Sequence, residues 1–304
     1  MFYSAVLKAK ARAVLQQHWQ TALLIALIVN LPTLLVQGIS AFTNNDVMYR
    51  LETLIIDASR STEAMNALPD AVVTMLTETG ILVMLALGLL AWLVTPALSL
   101  GMNHWTLDRI RGAEEPVSTV FSRLGIFLKG VGLRLLILLR VLLWMLPGLA
   151  VMVLAMVLLF RADITSQEAM LSAANTSVML IWAGIIAMLV LGVMGYLHYA
   201  LADLILADEP EEKVISCTRR SRELMTGRRG QLLALLLSFI LWYFLIMFAS
   251  SFIAGIAGDV IGLLLQMLGS LFLSVYMLAT EGVFYEALRS APIQVPADGS
   301  GVSS

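Results

Sequence analysis

The stretch Ala202-Asp203-Leu204-Ile205-Leu206-Ala207-Asp208-Glu209-Pro210 is continued by Thr218-Arg219-Arg220-Ser221-Arg222-Glu223-Leu224-Met225-Thr226-Gly227-Arg228-Arg229 and lies between two long apolar runs. From Ala202 to Arg229 it carries six of the nineteen Lys and Arg residues in a chain of 304. A basic segment between apolar runs predicts two helices that cross a bilayer and a connection held on one side of it.

The rest of the chain has the same character. Sixty per cent of its residues are hydrophobic and only 13% are charged, and the mean hydropathy is +0.89, well outside the range of soluble domains. Apolar runs long enough to cross the hydrocarbon core as helices fall near 20–42, 79–103, 132–160, 178–206, 231–256 and 260–287. A β-barrel requires short segments that alternate apolar and polar residues, and Leu133 to Leu143, interrupted only by Arg134 and Arg140, does not alternate. The sequence therefore predicts an all-α integral membrane protein of about six spans. Residues 1–288 form a single membrane domain and 289–304 a disordered tail, because the tail has almost no large apolar side chains.

The charges fix the expected orientation. Sixteen Lys and Arg residues fall before the first span, between or at the edges of the second and third, between the fourth and fifth, or after the sixth. Only Arg50, Arg60 and Arg161 fall on the other side. The positive-inside rule then makes both termini and both basic connections cytoplasmic. The single cysteine, Cys217, lies on the reducing side and has no partner for an intramolecular disulfide. About 20 residues of basic, helix-patterned sequence precede the first apolar run, so that span is expected to be retained rather than cleaved.

Between the spans, amphipathic segments recur. Phe2, Val6, Ala9 and Ala13 share a helical face, and Val117, Val120, Phe121, Leu124 and Leu128 form a second apolar stripe. Both predict helices lying in the cytoplasmic interface. The outer connection from Thr43 to Glu78 is acidic, and Val47, Leu51, Leu54, Ile55 and Ala58 predict one or two short helices there, capped at Asp46. Pro32, Pro96 and Pro147 predict kinks within spans. Ala183, Gly184, Ala187, Gly192 and Gly195 leave one flank of the fourth span small enough for close helix approach. Asp208 or Glu209 is placed to cap a helix entered through Pro210, and Ala254 to Asp259 predicts a tight hairpin turn.

An internal repeat runs through this pattern. Ala113-Glu114-Glu115-Pro116 overlays Ala207-Asp208-Glu209-Pro210 at an offset of 94, which also pairs Val120 with Val214 and Ser122 with Ser216. The reading is three parallel units, each a surface helix followed by a pair of spans.

The run Trp144-Met145-Leu146-Pro147-Gly148, the stretch from Tyr199 to Pro210, the segment Ser221 to Gly227 leading into Leu237-Ser238-Phe239-Ile240-Leu241-Trp242, and the ending Ala279 to Leu288 resemble the bacterial multi-pass membrane proteins grouped as domain-of-unknown-function family 975. The similarity is clearest from about 140 to 288. Where that family usually carries Pro-Tyr in the last span, this chain has Val275-Tyr276. The resemblance implies a bacterial cytoplasmic-membrane protein, and because the family has no established activity it transfers a fold and no mechanism.

Three ionisable residues fall at membrane depth, where charge is costly and points to a role: Arg140, Asp203 and Glu281. They are the candidate intramembrane polar cluster. The second basic connection supplies the candidate lipid-headgroup contacts, Arg219, Arg220, Arg222, Arg228 and Arg229, each worth on the order of 1 kcal/mol beside an anionic surface. His18, His104 and His198 are widely spaced and show no metal-ligand pattern. No nucleophile elbow, phosphate-cradling loop or paired-carboxylate motif occurs, so neither catalysis, a cofactor nor a metal is expected. The favoured reading is a non-enzymatic protein that organises lipid or scaffolds a partner. Its expected partners are anionic lipids and a second copy or another protein, not nucleic acid. The alternative is a transporter or channel for a small or amphipathic solute.

Overall fold

The computed structural model describes residues 2–78, 81–160 and 167–290. The side chains of Asp46, Val47 and Leu51, much of the loop from Arg161, and the tail from 291 lie outside the described residues. The elements are α1 (Phe2–Leu15), α2 (Trp19–Arg60), α3 (Thr62–Glu78), α4 (Ile81–Ile110), a 3-10 helix η1 (Val117–Ile126), α5 (Phe127–Phe160), α6 (Gln167–Tyr199), α7 (Ala202–Asp208), α8 (Val214–Leu224), α9 (Arg229–Ala257) and α10 (Asp259–Arg289). Six helical stretches are long and apolar enough to cross a membrane, beginning near Trp19, Leu85, Val117, Asn175, Arg229 and Asp259. The chain is an all-helical membrane protein.

The order of elements follows the three units of the repeat: α1 before α2–α4, η1 before α5 and α6, and α8 before α9 and α10. Within the units the helices pack as hairpins, α2 on α4, α5 on α6 and α9 on α10. Each short helix lies chiefly against the spans of a different unit: η1 on α4, α8 on α5, α6 and α7, and α1 on α9 and α10. The last contact joins the two ends of the chain. There the Tyr276 hydroxyl donates to the Lys8 carbonyl at 3.2 Å, Trp19 stacks on Phe272 at 4.3 Å between centroids, and burial against the Phe239 ring pushes the Lys8 pKa down.

Close approach depends on glycines where the helices cross. A Cβ on Gly148 would stand 2.6 Å from the Met188 amide and 2.9 Å from the Gly184 carbonyl, so α5 and α6 meet backbone to backbone along the flank of small residues. At Gly258, φ is +96°, and this one residue both ends α9 and starts α10, giving the tight hairpin turn expected there.

The buried apolar core gathers at the basic end of the bundle. It joins Leu7, Ala11 and Leu15 of α1 to Leu100 and Trp105, to Leu204, Ile205 and Leu206, and to Phe284 and Tyr285. Toward the far end α5, α6 and α9 display Val153, Trp182, Phe248 and Phe252 outward, an apolar surface suited to lipid.

The structure departs from the sequence reading at five places. The outer connection has no separate helix capped at Asp46: α2 continues unbroken to Arg60 and turns only at Ser61, because no Gly or Pro interrupts 39–60, and a short helix, α3, follows. In α1 the packed face is Leu7, Ala11 and Leu15, while Val6 is exposed. The second surface segment is a 3-10 helix. Its three-residue turn rotates the stripe apart, so Val120 is buried while Phe121 and Leu124 face outward, as does Leu128 at the start of α5. The fourth span breaks after Tyr199 and resumes at Ala202. Finally, α8 starts at Val214 with no side-chain cap, because Asp208 and Glu209 bind arginines instead. Pro32, Pro96 and Pro147 each lie inside a helix that continues on both sides.

Candidate functional site

The break in the fourth span exposes backbone groups that need partners, and α8 supplies them. Ser221 Oγ accepts from the Leu201 amide at 3.2 Å and donates to the His198 carbonyl at 3.1 Å. One turn earlier, Thr218 Oγ1 donates to the Ile215 carbonyl at 2.8 Å and accepts from Arg140 Nη1 at 2.7 Å. The inward face of α8 is therefore Cys217, Thr218 and Ser221, all fully buried. Burial pushes the Cys217 thiol up to about 11, with the Glu212 carboxylate acting in the same direction.

With its polar face inside, α8 turns Ile215, Arg219 and Arg222 outward, toward α5 and α6. Between these three helices lies a cleft of about 660 Å³, lined by Arg140, Leu143, Trp144, Pro147, Leu191, Tyr199, Ile215, Thr218, Arg219 and Arg222. One wall is apolar and the rim holds three guanidinium groups with no carboxylate among the lining residues. Arg140 lies 5.2 Å above the Tyr199 ring. Trp144 is 5.0 Å from His198.

The carboxylates of the Asp208-Glu209-Pro210 elbow engage other arginines. Arg111 at the end of α4 grips Asp208 with two parallel bonds, Nη1 to Oδ1 at 2.7 Å and Nη2 to Oδ2 at 3.0 Å, and its Nε donates to Glu286 at 2.9 Å. These carboxylates hold the Arg111 pKa well above the usual arginine value, Asp208 contributing most. Arg289 also pairs with Asp208, and the Tyr285 hydroxyl donates to the same carboxylate at 3.1 Å. Arg220 donates to Glu209 at 2.6 Å, which raises its pKa, and Lys129 Nζ donates to the Pro210 carbonyl at 2.7 Å. The elbow thus ties α4, α5, α8 and α10 together. In the aligned first elbow Glu115 plays a more local part, accepting from Thr119 Oγ1 at 3.1 Å while its carbonyl takes Arg109 and Trp105.

The five arginines singled out as headgroup contacts fall into different settings. Arg220 is neutralised by Glu209. Arg219 and Arg222 rim the cleft, and Arg219 reaches Glu223 only at 3.6 Å through two largely exposed side chains. Arg228 precedes α9, and Arg229 Nε is buried with no hydrogen-bond partner among the described residues.

The intramembrane trio also divides. Asp203 and Glu281 lie within electrostatic range of each other, and the cation facing Asp203 is Arg134, which donates to Ser99 Oγ at 3.0 Å. Asp203, Arg134, Tyr196 and Trp92 line a second cleft of about 410 Å³. Arg140 stands apart in the first cleft, and Tyr199 lines both. Sequence reasoning did not find the Arg111–Asp208–Arg289 cluster. Its one signal is the spacing of Tyr285, Glu286 and Arg289 on the last turn of α10, with partners 77 or more residues away.

A family model described as protein of unknown function (DUF975) matches residues 1–292, and the chain belongs to that family. No curated protein and no solved structure matches it.

Proposed function

We propose that this member of the DUF975 family is a non-enzymatic protein of the bacterial cytoplasmic membrane that gathers anionic lipid at its basic, cytoplasmic end and so organises the surrounding membrane or a partner complex. The observation that carries this reading is the cleft between α5, α6 and α8, where Arg140, Arg219 and Arg222 meet an apolar wall without any lining carboxylate. Arginines needed only for topology have no reason to converge. Arginines that hold a headgroup do, because each adds on the order of 1 kcal/mol at an anionic surface, and Trp144 suits the level where headgroups meet acyl chains.

The test is lipid association with the purified protein. Replacing Arg219, Arg220 and Arg222 together by Gln is expected to weaken retention of phosphatidylglycerol relative to phosphatidylethanolamine, read by native mass spectrometry. Unchanged retention would sink the reading.

A second reading, a transporter or channel for a small or amphipathic solute, draws on the cleft at Asp203, because an interrupted span beside ionisable groups is how transporters expose polar backbone at membrane depth. It requires solute flux in proteoliposomes that D203N abolishes.

A further inference from the structure

The arginine cleft differs from an ordinary basic surface in its charge balance. On the elbow side of α8 the arginines have carboxylates: Arg220 has Glu209, and Arg111 and Arg289 share Asp208. On the cleft side Arg140 spends one donor on Thr218, a neutral hydroxyl, Arg219 meets Glu223 only at 3.6 Å between largely exposed side chains, where an ion pair offsets little charge, and Arg222 has no carboxylate partner among the described residues. Three positive charges are therefore left facing one concavity whose remaining wall is Leu143, Trp144, Leu191 and Ile215. A phosphodiester offers a single charge and two free oxygens. A phosphomonoester carries about −1.5 to −2 near neutral pH and has three strongly accepting oxygens, which three guanidiniums can engage at once with charge-assisted bonds.

We propose that this cleft is a site for a phosphomonoester carried on a lipid, the terminal phosphate held by Arg140, Arg219 and Arg222 and the first part of the acyl chains lying along Leu143, Trp144 and Leu191. The inference rests on the lipid-binding reading above and narrows it to one headgroup chemistry. The apolar wall selects the lipid over a soluble phosphate, since a small polar ester would leave that surface in contact with water. Of the three arginines, Arg140 sets the depth of the phosphate, because Thr218 and the Tyr199 ring fix its position.

The test compares phosphatidic acid, phosphatidylglycerol, phosphatidylethanolamine and soluble glycerol 3-phosphate as ligands of the full chain in detergent, by native mass spectrometry with titration. Phosphatidic acid is expected to bind about tenfold more tightly than phosphatidylglycerol, and a hundredfold excess of glycerol 3-phosphate is expected not to displace it. R222Q, at an exposed position, is expected to bring the preference below about threefold, and R140Q to do the same where that variant folds. Equal binding of phosphatidic acid and phosphatidylglycerol, both above phosphatidylethanolamine, overturns the monoester site and leaves the general reading standing. Equal binding of all three lipids overturns both. Displacement by glycerol 3-phosphate, or an undiminished preference in R222Q, overturns the site as described.

Discussion

Arg140, thirteen residues into α5, places its Nη1 2.7 Å from Thr218 Oγ1 on α8. This bond joins a span to a surface helix across 78 positions of sequence and holds a charge at the floor of the arginine cleft. Thr218→Val keeps the shape and removes the acceptor, leaving a charged donor short of one partner. The expected loss is about 1–3 kcal/mol of stability, checked as a fall in the thermal midpoint in a fixed detergent. Phosphatidylglycerol retention is expected to fall less than in R140Q, because the guanidinium itself remains.

Asp208 is the most heavily shared carboxylate described, with only 7% of its side chain exposed and Arg111, Arg289 and Tyr285 all bound to it. Asp208→Ala leaves Arg111 with Glu286 alone and Arg289 with Glu209 at 3.7 Å, at the junction of α4, α7 and α10, and is expected to cost about 2–3 kcal/mol, below the penalty for a fully buried pair because both guanidiniums are partly exposed. Glu209→Gln removes pairs that are partly exposed and is expected to cost about 1 kcal/mol or less. Thermal unfolding of the two variants side by side checks the ranking, and equal effects would contradict the role given to Asp208.

Gly101 and Gly132 give a paired test of packing. A Cβ on Gly101 would sit 1.8 Å from the Val120 carbonyl oxygen, whereas one on Gly132 meets nothing within 4 Å. Gly101→Ala is expected to cost about 1–3 kcal/mol through overpacking of η1 on α4. Gly132→Ala is expected to be neutral or stabilising by up to about 1 kcal/mol, from helix propensity. Expression yield and thermal midpoint distinguish them.

Cys217 is fully buried and its thiol is pushed up to about 11. Reaction with a maleimide needs the thiolate, which at pH 8 amounts to about one part in a thousand. The folded protein is expected to resist labelling at pH 8 and to react fully in denaturant. Because the pKa is raised, reactivity should increase as the pH climbs toward 11. Fast labelling of folded protein at pH 8 would show that α8 does not lie on α5 and α6 as described.

The topology makes a separate prediction. A reporter fused after Ser304 is expected to report cytoplasm, and a periplasmic signal would overturn either the orientation or the number of spans.

What the sequence made legible was what depends on composition and local period. Six apolar runs and the repeated elbow could be read because hydrophobic length and Pro-containing junctions are local signals. That Asp203 and Glu281 both fall at membrane depth was also within reach, since both stand out against apolar surroundings. The polar face of α8 was not, because Thr218 and Ser221 look like solvent-facing residues until the break at Ala200–Leu201 supplies backbone groups for Ser221 and α5 brings Arg140 to Thr218. The partition of arginines was hidden for a related reason. Arg219, Arg220 and Arg222 read as one cluster along the chain, but helical spacing turns Arg220 to Glu209 and the other two to the cleft.

That partition is the central claim, and single variants of the two kinds of arginine test it most directly. Native mass spectrometry of purified protein should show Arg222→Gln losing most of its bound anionic lipid, while Arg220→Gln, which removes a charge already matched by Glu209, retains it. Equal loss in both variants, or loss only in Arg220→Gln, would contradict the account.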